Sequence, residues 1–170
     1  MSVEDWVTAY HERIYKYCCY MLRHPQEAED AVQEVFLRAW RSSEGKAEEP
    51  RSVQAWLYRI AHNHCLNRLK RRRLLVWLPF RPEWPERSAE PAATQAAASI
   101  DELLGRLAPL DRSIVLLRLA EERPYEEIGA AVGLTPGAVR KRFERARKRL
   151  QASIQRKGGV ARETESIPIV

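Results

Sequence analysis

Residues 124–150 read PYEEIGAAVGLTPGAVRKRFERARKRL. The spacing predicts a helix from Pro124 to Val132, a turn at Gly133-Leu134-Thr135, and a second helix from Pro136 to about Gln155. Two helices joined this tightly cross at close range, so the first needs a small residue at the crossing. Gly129, with Ala130 and Ala131, supplies one. The turn needs a residue that adopts positive φ without a Cβ clash, and Gly133 stands there. Thr135 is placed to cap the second helix, and Pro136 fits its first turn. Ile128, Val132, Leu134 and Val139 make a small core. Together these features specify a helix-turn-helix.

At about 100° per residue, Val139, Phe143, Ala146 and Leu150 fall on one side of the second helix. Arg140, Lys141, Glu144, Arg145 and Lys148 fall on the other. A packed face backed by a cationic face is what a helix seated in a major groove requires. Arginines near its start are expected to read base edges, and later basic residues to contact phosphate. Arg118, on the preceding helix, is placed to add a contact from the side. The alternative, a merely solvated basic face, does not account for the coincidence of turn, cap and charge.

Working outward, Ile100, Leu103, Leu104 and Leu107 predict a short helix that begins near Ser99 and stops near Pro109. Asp111 is the expected N-cap of a helix through Ala120. Upstream, Pro79, Pro82, Pro85 and Pro91 forbid a continuous helix. Residues 74–98 therefore read as an extended linker, with Trp77 and Trp84 available to a partner. The N-terminal third predicts three helices. The first runs from about Val3 to Met21, with Trp6, Val7, Tyr10, Ile14, Tyr17, Cys18 and Met21 at helical spacing. The second starts at Pro25 with an acidic first turn suited to the helix dipole, and Ala28, Val32, Val35, Phe36, Ala39 and Trp40 form its apolar stripe. A polar loop over 42–51 precedes the third, which Ser52 caps; it runs to about Arg73 with Val53, Leu57, Ile60 and His64 on the buried side. The fold class is all-α: two small helical domains (1–73 and 99–157), a Pro-rich linker (74–98) and a tail (158–170) expected to be disordered.

Charge is distributed in blocks. Residues 1–50 hold six basic and ten acidic side chains, and residues 51–73 hold seven basic and no acidic ones. Residues 101–135 hold four basic against seven acidic, and residues 136–157 nine basic against Glu144 alone. A polyanion touched at two separate places fits this better than dispersed solvation, which mixes signs. Three cysteines, Cys18, Cys19 and Cys65, make a poor disulfide framework and point to a reducing cytoplasm. No secretory leader or membrane-length apolar run is visible, so a soluble intracellular protein is expected. His62, His64 and Cys65 lack a second Cys/His pair at ligand spacing, so no metal is expected. No nucleophile–base pair or phosphate loop is recognisable, so neither an enzyme nor a cofactor or small-molecule substrate is expected.

Three runs carry a family resemblance. Glu29 to Trp40 (EDAVQEVFLRAW) resembles the polymerase-binding helix of extracytoplasmic-function RNA polymerase sigma factors. Ala55 to Asn63 (AWLYRIAHN) resembles the segment that melts the promoter and reads its −10 element. Pro124–Gly129 through Val139–Arg142 resembles the family's −35-reading module. Their order, spacing and intervening linker match over roughly residues 5–155, and three motifs in order are far more specific than any one.

The resemblance implies that the chain binds core RNA polymerase, at the clamp helices and flap, and directs promoter-specific initiation. It implies a polymerase contact through Asp30, Gln33, Glu34, Leu37, Arg38 and Arg41, which lie off the buried stripe. It implies −10 recognition on the third helix. There Arg59, Asn63 and Lys70 share a face, with His62 and Asn67 at its edges and Arg71, Arg72 and Arg73 following. An Asn amide both donates and accepts and can read a base edge; a base flipped from the opened duplex exposes such edges. The family also implies an anti-sigma factor, often membrane-anchored. From the residues alone, two other classes stay open: a stand-alone helix-turn-helix regulator, and an adaptor that binds polymerase without DNA.

Overall fold

The computed structural model describes residues 2–44, 50–75 and 95–163. Among them the regular elements are all helices: α1 (Val3–Leu22), α2 (Pro25–Ser43), α3 (Val53–Leu75), α4 (Gln95–Gly105), α5 (Pro109–Leu119), α6 (Tyr125–Val132) and α7 (Pro136–Glu163). The first three pack on one another as an N-terminal domain, and α5, α6 and α7 as a C-terminal one.

Local chemistry sets the helix ends. At the start of α1 the Ser2 hydroxyl accepts from the Asp5 N–H, and the Asp5 carboxylate accepts from the Ser2 N–H at 2.7 Å, a reciprocal cap. The helix stops where Arg23 enters the left-handed region at φ 57°, two residues before Pro25. Its last turn holds no basic residue of its own. Instead Arg72 of α3 donates to the Leu22 carbonyl at 3.0 Å, and Arg112 of α5 to the Met21 carbonyl at 2.6 Å. Both cations satisfy orphan carbonyls at the negative end of the helix dipole.

On α2, Ala28, Ala31, Val32, Val35, Phe36 and Ala39 are buried, and the alanines let α1 approach closely. Glu27 is also buried, held by Arg68 and Arg72 of α3. Ser52 caps α3, its hydroxyl accepting from the Ala55 N–H at 3.2 Å.

The C-terminal domain departs from the sequence reading at three places. Helix α4 begins at Gln95, inside the stretch read as linker. Helix α5 begins at Pro109, and Ala108 in the cap position makes no side-chain cap bond. Proline carries a pre-set helical φ and needs no partner for a missing N–H, so it starts the helix two residues before Asp111. Asp111 sits in the first turn and pairs with Arg142 of α7 at 2.9 Å. Helix α7 continues to Glu163, so residues 158–163, read as tail, are helical in backbone. The expectations for 76–94, for most of the 42–51 loop and for 164–170 lie outside the described residues.

The helix-turn-helix is built as its residues require. Gly133 sits at φ 76° and its N–H donates to the Gly129 carbonyl at 2.8 Å. A Cβ at Gly129 would stand 2.5 Å from the Leu134 carbonyl oxygen. Thr135 accepts from the Ala138 N–H at 3.3 Å. Val139, Phe143 and Ala146 are buried, with Leu150 packed at their edge.

The sequence reading anticipates no contact between the domains, yet they pack directly. Helix α3 lies against α6, and both α1 and α3 touch α5. The buried side chains form one continuous cluster from Trp6 to Ala146.

Candidate nucleic-acid and partner interfaces

On α2, Asp30, Gln33, Leu37, Arg38 and Arg41 are exposed and Glu34 is partly so. Arg38 Nε donates to Glu34 Oε1 at 2.6 Å, one helical turn away, and this bond holds the Glu34 carboxyl below its usual range. Asp30 pairs with Arg68 at 3.5 Å. The structure thus brings the six candidate partner residues to one side of α2. It corrects the reading of Trp40 as core: that indole is 46% exposed. Three residues after Leu37, it stands beside it on the open face. Its place between Ala39, which is buried, and Arg41 offered two assignments, and the stripe count chose the wrong one.

On α3, Arg59, Asn63, Asn67 and Lys70 are exposed and available together. His62 is not with them: it is 2% exposed. Its Nδ1 lies 2.8 Å from Ser113 Oγ and 3.5 Å from the Tyr17 hydroxyl. His64, read as facing the core, is only half-buried. It lines a groove between α2 and α3 with Arg38, Asn67, Arg68 and Arg71. The exposed face of α2 and the basic face of α3 therefore meet along that groove. Trp56 packs edge-on against buried Trp6, with ring centroids 5.7 Å apart.

On α7, Arg140, Lys141, Arg145 and Lys148 are exposed. Gly137, Arg140, Lys141, Glu144 and Arg145 line one shallow groove. Glu144 is partly buried and pairs with Arg147 at 3.0 Å. Arg118 stands apart from this group. Its guanidinium donates to the Arg123 carbonyl at 3.0 Å and lies 4.6 Å over the Tyr125 ring. The sequence reading overlooked Arg142, whose pairing with Asp111 fixes α7 on α5. An acidic residue in α5 facing a basic one in α7 was the signal available for it.

Cys18 and Cys65 are buried with their sulfurs 3.8 Å apart. Hydrogen bonding to Cys65, then burial, holds the Cys18 thiol well above its usual range. Among the described residues no cluster of three or more His, Cys, Asp or Glu side chains is arranged to hold a metal ion. Among them, too, no helix is long and apolar enough to cross a membrane.

Comparison with known proteins agrees with this layout. Residues 6–74 match the family described as Sigma-70 region 2, and residues 97–150 that described as Sigma-70, region 4. The chain is 32% identical to the ECF RNA polymerase sigma factor SigE of Mycolicibacterium smegmatis, over 88% of this chain and 60% of that one. It thus spans less than two thirds of that relative's length. It is 31% identical to RNA polymerase sigma factor CarQ of Myxococcus xanthus, over 88% of this chain and 87% of that one. In fold it resembles the sigma factor RpoE of Bartonella quintana, solved in complex with the anti-sigma factor NepR. That match has a TM-score of 0.73 at 21% identity, covering 89% of this chain and 96% of that one. Two sigma-70 regions in order, together with these relatives, place this chain in the extracytoplasmic-function family of RNA polymerase sigma factors.

Proposed function

We propose that this chain binds core RNA polymerase in the cytoplasm and directs it to promoters, as an alternative sigma factor without catalytic chemistry of its own. The observation that carries the reading is the exposed face of α2. Leu37 and Trp40 present apolar surface there, ringed by Gln33, Arg38 and Arg41. A tryptophan at the centre of a polar rim is the composition of a protein–protein hot spot. A stand-alone regulator has no use for it.

In this reading the two basic faces divide the promoter. Arg59, Asn63, Asn67 and Lys70 on α3 contact the opened −10 element, where unstacked bases offer their edges. Arg140, Lys141, Arg145 and Lys148 on α7 enter the major groove of duplex −35 DNA, with Glu144 able to accept from a cytosine amine. An anti-sigma factor is a further expected partner, because RpoE is solved with one.

Reconstitution tests this. Purified core polymerase plus the chain is expected to give transcripts starting at discrete sites on genomic DNA. Core polymerase plus a Leu37→Asp, Trp40→Ala chain is expected to give none. Transcription equal in both would overturn the reading.

A further inference from the structure

The groove between α2 and α3 gathers cations that stand off the −10 face. It encloses about 290 Å³, just below the roughly 300–1,000 Å³ of small-molecule pockets. Arg38 of α2 lines one wall, and His64, Asn67, Arg68 and Arg71 of α3 the other.

Arg72 also reaches this groove but is committed: it pairs with Glu27 and donates to the Leu22 carbonyl. The other three guanidiniums have donors to spend. Arg68 lies 3.7 Å from Glu27 and 3.5 Å from Asp30, and a charge-assisted bond is shorter, about 2.7–2.9 Å. Arg38 uses its Nε on Glu34, which leaves the two terminal nitrogens. Arg71 is exposed and, among the described residues, pairs with no carboxylate. His64 Nε2 is buried and, among the described residues, has no hydrogen-bond partner. A buried polar atom left unpaired is costly, and a ligand that pairs it relieves that cost.

The field of the groove reaches its own histidine. Burial first, then Arg38, Arg68 and Arg71, hold the His64 ring below the usual histidine range, against the opposite pull of Glu34. These are the charged groups that face the ring from α2 and from α3 itself.

Guanidinium forks converging on one concavity suit phosphate, whose oxygens accept from several donors at once. A DNA strand and a free metabolite both carry phosphate, and the position of the groove favours the second. On α3 the row His64, Arg68, Arg71 and Leu75 stands roughly 130° around the helix from Arg59, Asn63 and Lys70. A strand lying on those three residues runs past the groove, which α2 walls on its far side.

We infer that the groove is a binding site for a compact phosphorylated small molecule, gripped by Arg38, Arg68 and Arg71 with His64 and Asn67 beside them. The site does not depend on the polymerase reading.

The test titrates pyrophosphate into the full-length chain and follows the His64 ring by NMR. The His64 signals are expected to shift to saturation. Its titration midpoint is expected to rise toward the ordinary histidine value, because a bound anion offsets the three cations. Arg71→Gln, at an exposed site, is expected to weaken binding about tenfold, the loss of one charged hydrogen bond. Asn67→Asp keeps the shape but sets a carboxylate in the groove, and is expected to abolish binding. Arg106→Gln removes the same charge elsewhere, from an exposed pair with Glu102, and is expected to leave the affinity unchanged. Equal weakening by Arg71→Gln and Arg106→Gln would reduce the effect to net charge and overturn the site. His64 signals that pyrophosphate does not move would overturn it as well. Signals that move with single-stranded DNA alone would return the groove to the promoter strand and overturn the small-molecule assignment.

Discussion

Ser113 Oγ, on the helix that precedes the helix-turn-helix, lies 2.8 Å from His62 Nδ1, on the basic helix of the other domain. One hydroxyl thereby satisfies two buried groups of the N-terminal domain, His62 and Tyr17. Ser113→Ala removes the bridge and strands both partners in a buried site. The expected loss is about 1–3 kcal/mol, read as a lower urea midpoint. Tyr17→Phe removes only the terminal donor and is expected to cost less. Equal stability of Ser113→Ala and the unaltered chain would contradict the bridge.

The same imidazole makes stability depend on pH. Burial, with a smaller contribution from Lys70, pushes the His62 pKa down to about 4. The groups facing the ring from α1 and α5 are the Tyr17 and Ser113 hydroxyls, and burial pushes the Tyr17 hydroxyl well above its usual range, so it stays neutral here. An unfolded histidine titrates near 6.5. Between these values the unfolded chain takes up a proton that the folded chain refuses. Stability is therefore full above about pH 6.5 and falls as pH drops toward 4. The whole window is worth about 3 kcal/mol. Urea titrations at pH 7.5 and 5 should show the fall, and His62→Gln should flatten it. An equal slope in that variant would assign the effect to other groups.

His62 also marks the limit of what the sequence makes legible. Helical spacing correctly places α1, α2, α3 and the helix-turn-helix, because each buries an apolar stripe against its neighbour in sequence. On α3 the spacing picks Val53, Leu57, Ile60 and His64 as the inner face. The buried row is Leu57, Tyr58, Ala61, His62 and Cys65, turned by about one residue, or ~100°. The row is shifted because α3 has a second wall, formed by the C-terminal domain, and that wall meets tyrosine and histidine. A polar contact between domains leaves no apolar period to read. Trp40 is the converse case: an apolar residue beside a buried stripe that stands on the open face of α2. Arg59, Asn63, Arg140 and Arg145 are legible because they stand opposite the packed side of their helices, where polar and charged side chains stay solvated.

Gly129 has no tolerance for a side chain. The Leu134 carbonyl that a Cβ would strike belongs to the turn backbone, and backbone cannot step aside as a flexible side chain can. Gly129→Ala is expected to cost about 1–3 kcal/mol through overpacking, despite alanine's better helix propensity. Thermal melting followed by circular dichroism checks it. A gain in stability would mean that the crossing is looser than its geometry.

Glu27 is buried between Arg68 and Arg72, three groups that tie α2 to the basic end of α3. Glu27→Gln keeps the shape but removes the buried carboxylate that Arg72 and Arg68 share, leaving Arg68 with Asp30. Removing one partner of a buried ion pair costs about 3–5 kcal/mol; because the arginines are a quarter to a third exposed, water recovers part of it and about 2 kcal/mol is expected. The pair also keeps Arg72 on the Leu22 carbonyl, so fraying of the α1 end should accompany the loss. Amide hydrogen exchange at Cys19 to Leu22 would register it, and unchanged protection there would disconnect the two.

On the proposed reading, the α7 face is expected to separate into base readers and phosphate anchors by position. Arg140 and Lys141 stand in the first two turns, where a helix entering a groove meets base edges, while Lys148 lies two turns further along and meets the backbone. Arg140→Ala is therefore expected to weaken the cognate −35 duplex by about 1–3 kcal/mol and to relax selectivity at one base pair. Lys148→Ala should weaken all duplexes alike and lower the slope of log affinity against log salt by about one. Both sites are exposed, so neither change should move the melting temperature. Salt-dependent binding measured with cognate and scrambled duplexes distinguishes the two roles. If Arg140→Ala lost affinity for both duplexes equally, the residue would be a phosphate contact, and sequence reading would fall to Lys141, Glu144 and Arg145.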